Sequence, residues 1–341
     1  MLKSLSRRAA LGALAAVPMI RVAGAQDLPK ASVALLRLAS SGPVFIAAEK
    51  GWFKEAGLDL TIKDFTAAAQ PPLAVVAGDA DFGTTAFTAG FYNLAAKGGL
   101  KVIAAQSAEK PGYPLVAIAV TNAAWEAGVR SVKDFAGKRI AMTTAGSSMH
   151  YSIEIVARKH GVDPKTITMV PLNALPNMAA AFKGGTIDGA IFPVTTWRQV
   201  EADAGGHLIA WVGDEVPWQL GCVFTSPKTI AERRPVVEKF IAGYQRGAEA
   251  YNDAFGKRDN GKIVPGPGYD EMLKIVSEAV KQSPALVAEG LPYIDPMGRL
   301  DVGDIYKQVE LWKSQGQVAR DADPKTFVDL TFVRGHFNVP G

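Results

Sequence analysis

The chain repeats itself, and this repeat restricts its fold more than any other feature of the sequence. The first copy runs Ala34-Leu-Leu-Arg-Leu38, a candidate strand, then Ala39-Ser40-Ser41-Gly42-Pro43, then a helix-like stretch to Gly57-Leu58-Asp59. The second runs Arg139-Ile-Ala-Met142, then Thr143-Thr144-Ala145-Gly146-Ser147-Ser148, then a helix-like stretch to Gly161-Val162-Asp163. Gly42 to Gly57 and Gly146 to Gly161 are both separations of 15. Further on, Gly78-Asp-Ala-Asp81 pairs with Gly185-Thr-Ile-Asp188, each leaving an alanine-rich helix and turning into a short apolar strand. Asp81 to Gly99 and Asp188 to Gly206 are both separations of 18.

Strands alternating with helices in each copy imply an α/β chain of two lobes, each a mainly parallel sheet covered on both faces. In such sheets, loops at the carboxyl ends of the strands line the binding crevice. The loops expected there carry Ser40, Ser41 and Gly42; Thr84 and Thr85; Thr143, Thr144, Ser147 and Ser148; and Thr195 with Thr196. Two such crevices facing each other make a cleft. After Trp211 the pattern turns helical, with helices predicted over 229–252, 269–282 and 302–314. This tail is too late to belong to the second copy, and packing it on the first lobe requires the chain to cross between lobes twice. The crossings fall near Lys110-Pro-Gly-Tyr-Pro114 and Val216-Pro-Trp-Gln-Leu-Gly221, whose Pro, Gly and aromatic residues suit a short hinge or two ordinary loops. The expected division is a leader at 1–25, lobe I at 26–112, lobe II at 113–219, and a return to lobe I with the C-terminal helices at 220–341.

Charge points to a destination. The 341 residues carry 37 Lys and Arg against 33 Asp and Glu, a formal charge of +4. Residues 1–25 hold four of the bases, Lys3, Arg7, Arg8 and Arg21, and no acid, so the rest of the chain is balanced at 33 of each sign. A basic start, an apolar run from Ala9 to Ile20 and the small residues Ala23-Gly24-Ala25 have the layout of an export signal cleaved after Ala25. Ser6-Arg7-Arg8-Ala9-Ala10-Leu11 resembles the twin-arginine motif, with a general secretory signal as the alternative. Either route ends in the bacterial periplasm or outside the cell. The apolar run is shorter than the roughly 20 residues of a membrane span and is broken by Pro18. A balanced remainder without a basic patch argues against nucleic acid as a partner. Cys222 is the sole cysteine and reads as a small buried hydrophobe or, less simply, a reactive thiol.

Helix starts offer unpartnered backbone N–H groups and a partial positive charge, and Ser, Thr and Gly add hydroxyl donors and close approach. Each such residue is also an ordinary helix cap when taken alone. Hydrogen bonds to a charged group contribute about 1.5–3 kcal/mol each, and micromolar affinity needs about 8 kcal/mol. Three or four such bonds with some apolar burial therefore hold a carboxylate or sulfonate without a buried Arg. His150, in the first turn of its helix, is either a ligand donor or a half-exposed helix-start residue. His160, His207 and His336 are scattered, so no metal site is expected. Trp197, Trp218, Phe87 and Tyr113 either sandwich an aromatic ligand or fill the core. Elbow, phosphate-loop and dinucleotide motifs are missing from the sequence, so no cofactor and no catalytic residues are expected.

The stretch Ala39-Ser40-Ser41-Gly42-Pro43-Val-Phe-Ile-Ala-Ala-Glu49-Lys50-Gly51-Trp52-Phe53-Lys54-Glu55-Ala56-Gly57-Leu58 resembles the opening motif of ABC-transporter periplasmic solute-binding proteins of the nitrate/sulfonate/bicarbonate and thiamine-precursor branch. Gly78-Asp-Ala-Asp81-Phe-Gly83, Ser131 to Ala141, Gly185-Thr-Ile-Asp188-Gly-Ala190 and, more weakly, Asp323-Pro324 to Phe332 resemble it too. The resemblance implies a type II periplasmic-binding-protein fold with two hinge crossings. It implies a monomer that closes on one small molecule and delivers it to a membrane permease and ATPase. It places Ser40, Ser41, Thr84, Thr85, Ser147 and Ser148 in the cleft, with Thr195 and Trp218 less firmly. The expected ligand is a small organic anion: a sulfonate, a carboxylate or an aromatic acid. The rival is an exported enzyme related to thiamine-pyrimidine synthesis, whose cysteine-rich motif one cysteine cannot supply; a receptor's sensing domain is a third reading.

Overall fold

Twelve strands carry the architecture of the computed structural model, which describes residues 27–340. The export-signal segment, with its twin-arginine motif and cleavage point, lies outside them. In chain order the strands are β1 (Lys30–Leu36), β2 (Asp59–Phe65), β3 (Phe82–Ala86), β4 (Lys101–Ala105), β5 (Ala108–Glu109), β6 (Val116–Val120), β7 (Arg139–Met142), β8 (Thr168–Pro171), β9 (Gly189–Pro193), β10 (His207–Trp211), β11 (Trp218–Gln219) and β12 (Gly221–Thr225). The first sheet has the order β2-β1-β3-β12-β4 and the second β10-β6-β9-β7-β8. Reversed, the second reads β8-β7-β9-β6-β10, the same order with β6 in the place of β12. In each sheet three strands pair in parallel, and the intruding strand runs antiparallel to both neighbours. The sheets are thus mainly parallel, as the repeat predicts.

The two aspartates of the repeat explain why it survives in the fold. Asp81 accepts the backbone N–H of Ser32 at 2.8 Å and Asp188 accepts that of Arg139 at 2.7 Å, each across 49 residues. Each carboxylate therefore pins the turn before the third strand to the start of the first. Gly78 ends the helix before Asp81 in the left-handed region at φ 81°, and Gly185 takes φ 66° before Asp188. Other side chains would be strained at both places.

Packing of the intruding strand differs between the sheets. Phe224 on β12 lies opposite Gly83, where a Cβ would come within 2.3 Å of the ring. The matching pair in the second sheet is Ala119 and Ala190. On one face of the first sheet Phe82 stacks on Phe240 with centroids 4.0 Å apart, and the Pro227–Phe255 helix covers it. That helix starts where Ser226-Pro227 predicts, the Ser226 hydroxyl accepting the Thr229 N–H at 3.0 Å. The opposite face holds Phe91, Tyr92, Phe224 and Trp312, and this core continues through Trp218 and Tyr151 to Ile118 and Ile140 of the second sheet and Ile153 of the Ser148–Lys159 helix. A separate core of Met178, Phe182, Phe192 and Trp197 covers the second sheet's other face.

The tail helices form at Tyr269–Val280 and Val302–Ser314, close to expectation. β12, ahead of the first of them, does not show in the helical pattern because its five residues are too few to carry a period. Among the described residues no helix is long and apolar enough to cross a membrane.

Candidate functional site

The loop after β1 is a short 3-10 turn, Ala39–Ser41, running into the Gly42–Glu49 helix. Ser41 is buried and its hydroxyl donates to the Leu36 carbonyl at 2.9 Å, so it holds the turn; Ser40 is half-buried with no hydroxyl bond among the described residues. Gly42 is the first helical residue, and a Cβ there would meet the Tyr251 ring at 2.9 Å. Thr84 and Thr85 need a correction, because they lie inside β3 and not in the loop after it. Thr85 donates to the Ala68 carbonyl at 2.9 Å, and the buried Thr84 hydroxyl has no partner among the described residues. The loop proper is Phe87-Thr88, and Thr88 caps the Ala89–Ala96 helix by accepting the Phe91 N–H at 3.0 Å. Thr88 is therefore the residue that sequence reasoning missed here; a Thr three places before the capped N–H was the available signal. Thr195 and Thr196 likewise sit in the Val194–Ala204 helix and not in a loop before it.

The loop after β7 is the most worked-out part of the site. Ser147 caps the Ser148–Lys159 helix by accepting the His150 N–H at 3.2 Å, and Ser148 opens the helix with its own hydroxyl unbonded among the described residues. Thr144 is exposed and its carbonyl accepts the Ser147 N–H at 3.2 Å. His150 is buried. Its Nδ1 accepts the Gly146 N–H at 3.0 Å, which places the proton on Nε2, 3.6 Å from Glu154. Both ring nitrogens face groups of its own loop and helix, and the ring tilts against Trp312 at 5.2 Å. Burial works to raise the Glu154 carboxyl, but bonds from His150 and Arg158 outweigh it and hold the group below the ordinary carboxylate range. The loop so held is a contact between sheets: Gly146 accepts the Ala89 N–H at 2.9 Å, and a Cβ on Gly146 would meet Ala89 at 2.9 Å.

The two crossings meet as an antiparallel ribbon, β5 with β11, pairing Glu109 with Trp218 and Ala108 with Gln219. The second crossing lies where the sequence placed it, and the first pairs two residues ahead of Lys110. Trp218 is buried, 4.7 Å from Tyr151, and Tyr151 in turn is 5.8 Å from Trp312. Gln219 is fixed on all sides: its N–H donates to Asp304 at 2.8 Å and its side chain donates to the Ser107 and Gly221 carbonyls. Burial pushes the Asp304 carboxyl up to about 6, against the bonds from Gln219 and Gln308. Burial also raises Glu109 well above the ordinary carboxylate range, with Gly213 N–H pulling the other way and Asp214 adding to the rise. Trp312 and Tyr151 carry no sequence signal for this place, since their contact spans more than a hundred residues.

Loops and helices of the two sheets also touch at two further places. At one, the loop after β3 touches the loop after β7 directly. At the other, Thr195 meets Gly290, just past the Pro284–Glu289 helix of the tail, and Arg198 pairs with Glu289 at 2.6 Å. Of the predicted residues, Thr144, Ser147, Ser148 and His150 share one loop and helix start, and Ser40, Ser41 and Gly42 share another. Trp218 alone lines a pocket of about 230 Å3 over the ribbon.

Solved structures share this architecture. The alkanesulfonate-binding protein SsuA of Xanthomonas axonopodis pv. citri, bound to MOPS, is 19% identical with a TM-score of 0.69, over 90% of this chain and 100% of that one. The periplasmic aliphatic sulphonate binding protein SsuA of Escherichia coli is 16% identical with a TM-score of 0.71, over 92% and 97%. The periplasmic nitrate-binding protein NrtA of Synechocystis PCC 6803 is 13% identical with a TM-score of 0.66, over 88% and 84%. At such identities the likeness is one of fold, the two-lobed fold of periplasmic binding proteins. No curated protein sequence matches the chain. The NMT1/THI5-like family model matches residues 39–254, from the Ser40-Ser41-Gly42 turn to the end of the Pro227–Phe255 helix, and the chain belongs to that family.

Proposed function

We propose that this chain is the periplasmic substrate-binding component of an ABC importer. It captures a small organic anion between its lobes and delivers it to a membrane permease with its ATPase, acting as a monomer. The observation that carries the reading is the pair of helix starts, Ser41-Gly42 on the first sheet and Ser147-Ser148 on the second, mounted on lobes joined by a two-stranded ribbon. At the first start the Ser41 and Gly42 N–H groups already bond the Leu38 and Ala39 carbonyls and Pro43 has none, so the second start is the one that offers backbone N–H groups to an anion. A ligand touching both starts favours the closed arrangement by its differential affinity for it. The division into lobe I at 26–112 and 220–341 and lobe II at 113–219 belongs to this proposal, as does cleavage after Ala25.

The buried hydroxyls are mostly spent on the backbone, so N–H groups carry the ligand and the unbonded hydroxyls of Ser40 and Ser148 refine it. Cys222 lies fully buried in β12 with its thiol pushed up by burial, a setting for packing and not for nucleophilic chemistry. The test is calorimetry on the chain from Gln26 with carboxylates, sulfonates and pyrimidines. One class binds in the micromolar range, and Ser40→Ala and Ser148→Ala each weaken it about tenfold, the lower end of a charged hydrogen bond's contribution. Failure of every class to bind, or turnover of a bound one, ends the proposal.

A further inference from the structure

The pocket over the ribbon is separate from the helix starts. It is lined by Ser107, Ala108 and Lys110 of the first crossing, by Pro217 to Gln219 of the second, and by the tail around Tyr293, Arg299 and Phe337. Most of its polar groups are already used. Arg299 is paired with Asp295 through Nε at 3.0 Å and Nη2 at 2.9 Å. Asp301 accepts the Asp304 N–H at 3.1 Å and the Asn338 amide at 2.9 Å, and Gln219 accepts the Asp301 N–H at 3.2 Å. Three groups are left over. Among the described residues the Ser107 hydroxyl, in a residue 2% exposed, has no partner, nor has the Trp218 indole N–H, in a residue 3% exposed. Lys110 stands exposed at the mouth, 5.1 Å over the Tyr293 ring, with no carboxylate in ion-pair range among the described residues.

All three leftover groups donate, and one is a full positive charge. Ala105, Ala108, Pro217 and Phe337 supply apolar wall. The volume equals the share of about eight waters, the size of one six-membered ring with an acid group. We propose that this pocket is a second ligand site, for a small monoanion with an apolar body such as a monocyclic carboxylate or sulfonate, held by Lys110 and Ser107. Because both crossings line it, lobe rotation changes its shape, and its occupant and the interlobe ligand alter each other's affinity by the same factor.

Benzoate is the probe, titrated into the full chain from Gln26 by calorimetry and then soaked into its crystals. Benzoate is expected to bind at millimolar concentration or better, with its carboxylate beside Lys110 Nζ. Lys110→Ala, an exposed change that leaves the fold intact, weakens it about tenfold, and Lys110→Arg restores most of the affinity. Ser148→Ala leaves benzoate in this pocket unaffected, which separates the site from the interlobe reading. Equal affinity in wild type and Lys110→Ala, or a crystal with benzoate only between the Ser40 and Ser148 loops, overturns the proposal.

Discussion

Two sheets with the same strand order are completed by strands from opposite directions along the chain. The second takes β6 from just before its own three parallel strands; the first takes β12 from far beyond them, after the whole second sheet. The intruding strand is also packed differently, with Phe224 against Gly83 in the first sheet and Ala119 against Ala190 in the second. The same topology thus tolerates a large-with-none pair or a small-with-small pair, provided the two volumes are complementary.

This comparison is broken most severely at the aromatic. Phe224→Ala leaves a hole opposite a residue without a side chain and is expected to cost about 3–5 kcal/mol in urea unfolding. Gly83→Ala alone overpacks against the ring and costs about 1–3 kcal/mol. Combined, they recreate the second sheet's Ala–Ala pair, and the double variant is expected to be more stable than the sum of the two losses; strict additivity would show the pairs are not equivalent. Next come the aspartates. Asp81 accepts Ser32 and also pairs with Arg233, which departs from helical geometry at φ −136°, whereas among the described residues the side chain of Asp188 bonds only Arg139 N–H. Asp81→Ala should cost about 2–3 kcal/mol and Asp188→Ala about 1.5 kcal/mol. Equal losses would remove the distinction.

The ribbon gives a smaller, pH-dependent effect. Asp304 titrates at about 6 in the folded chain and near 3.9 when unfolded. The folded state holds the proton more tightly, so this contribution is complete below about pH 4 and is lost as pH rises through about 6. Between pH 5 and 8 the wild type should lose about 1 kcal/mol more than Asp304→Asn; identical pH profiles would reject the assignment. Smallest is Arg198→Ala. Its pairs with Glu289 and Glu201 are solvent-exposed, so it should change stability by less than about 1 kcal/mol, while shifting small-angle scattering of the free protein toward a more open form.

What the sequence disclosed follows the range of the forces concerned. The repeat, the Asp81 and Asp188 turns and the tail helices are legible because they rest on spacing and local caps. The exact seats of Thr84, Thr85 and Thr195 were not, because a hydroxyl two residues inside a strand or helix looks in sequence like one in the loop beside it. His150 illustrates the other limit. Its position at a helix start was clear, but the partners that consume its two nitrogens depend on a loop conformation set partly by Ala89 across the interface. Trp312 and Tyr151 meet through tertiary packing alone.

β12 also sets an order of events during synthesis. β3 and β4 are not bonded to each other; β12 bridges them, and its partners lie more than 115 residues earlier in the chain. A nascent chain therefore completes the second sheet once Trp211 emerges, while the first still waits with β4 detached. Pairings of such separation form slowly, so the first sheet is the last to close, and until Gly221–Thr225 arrives a chaperone has an open strand edge to protect.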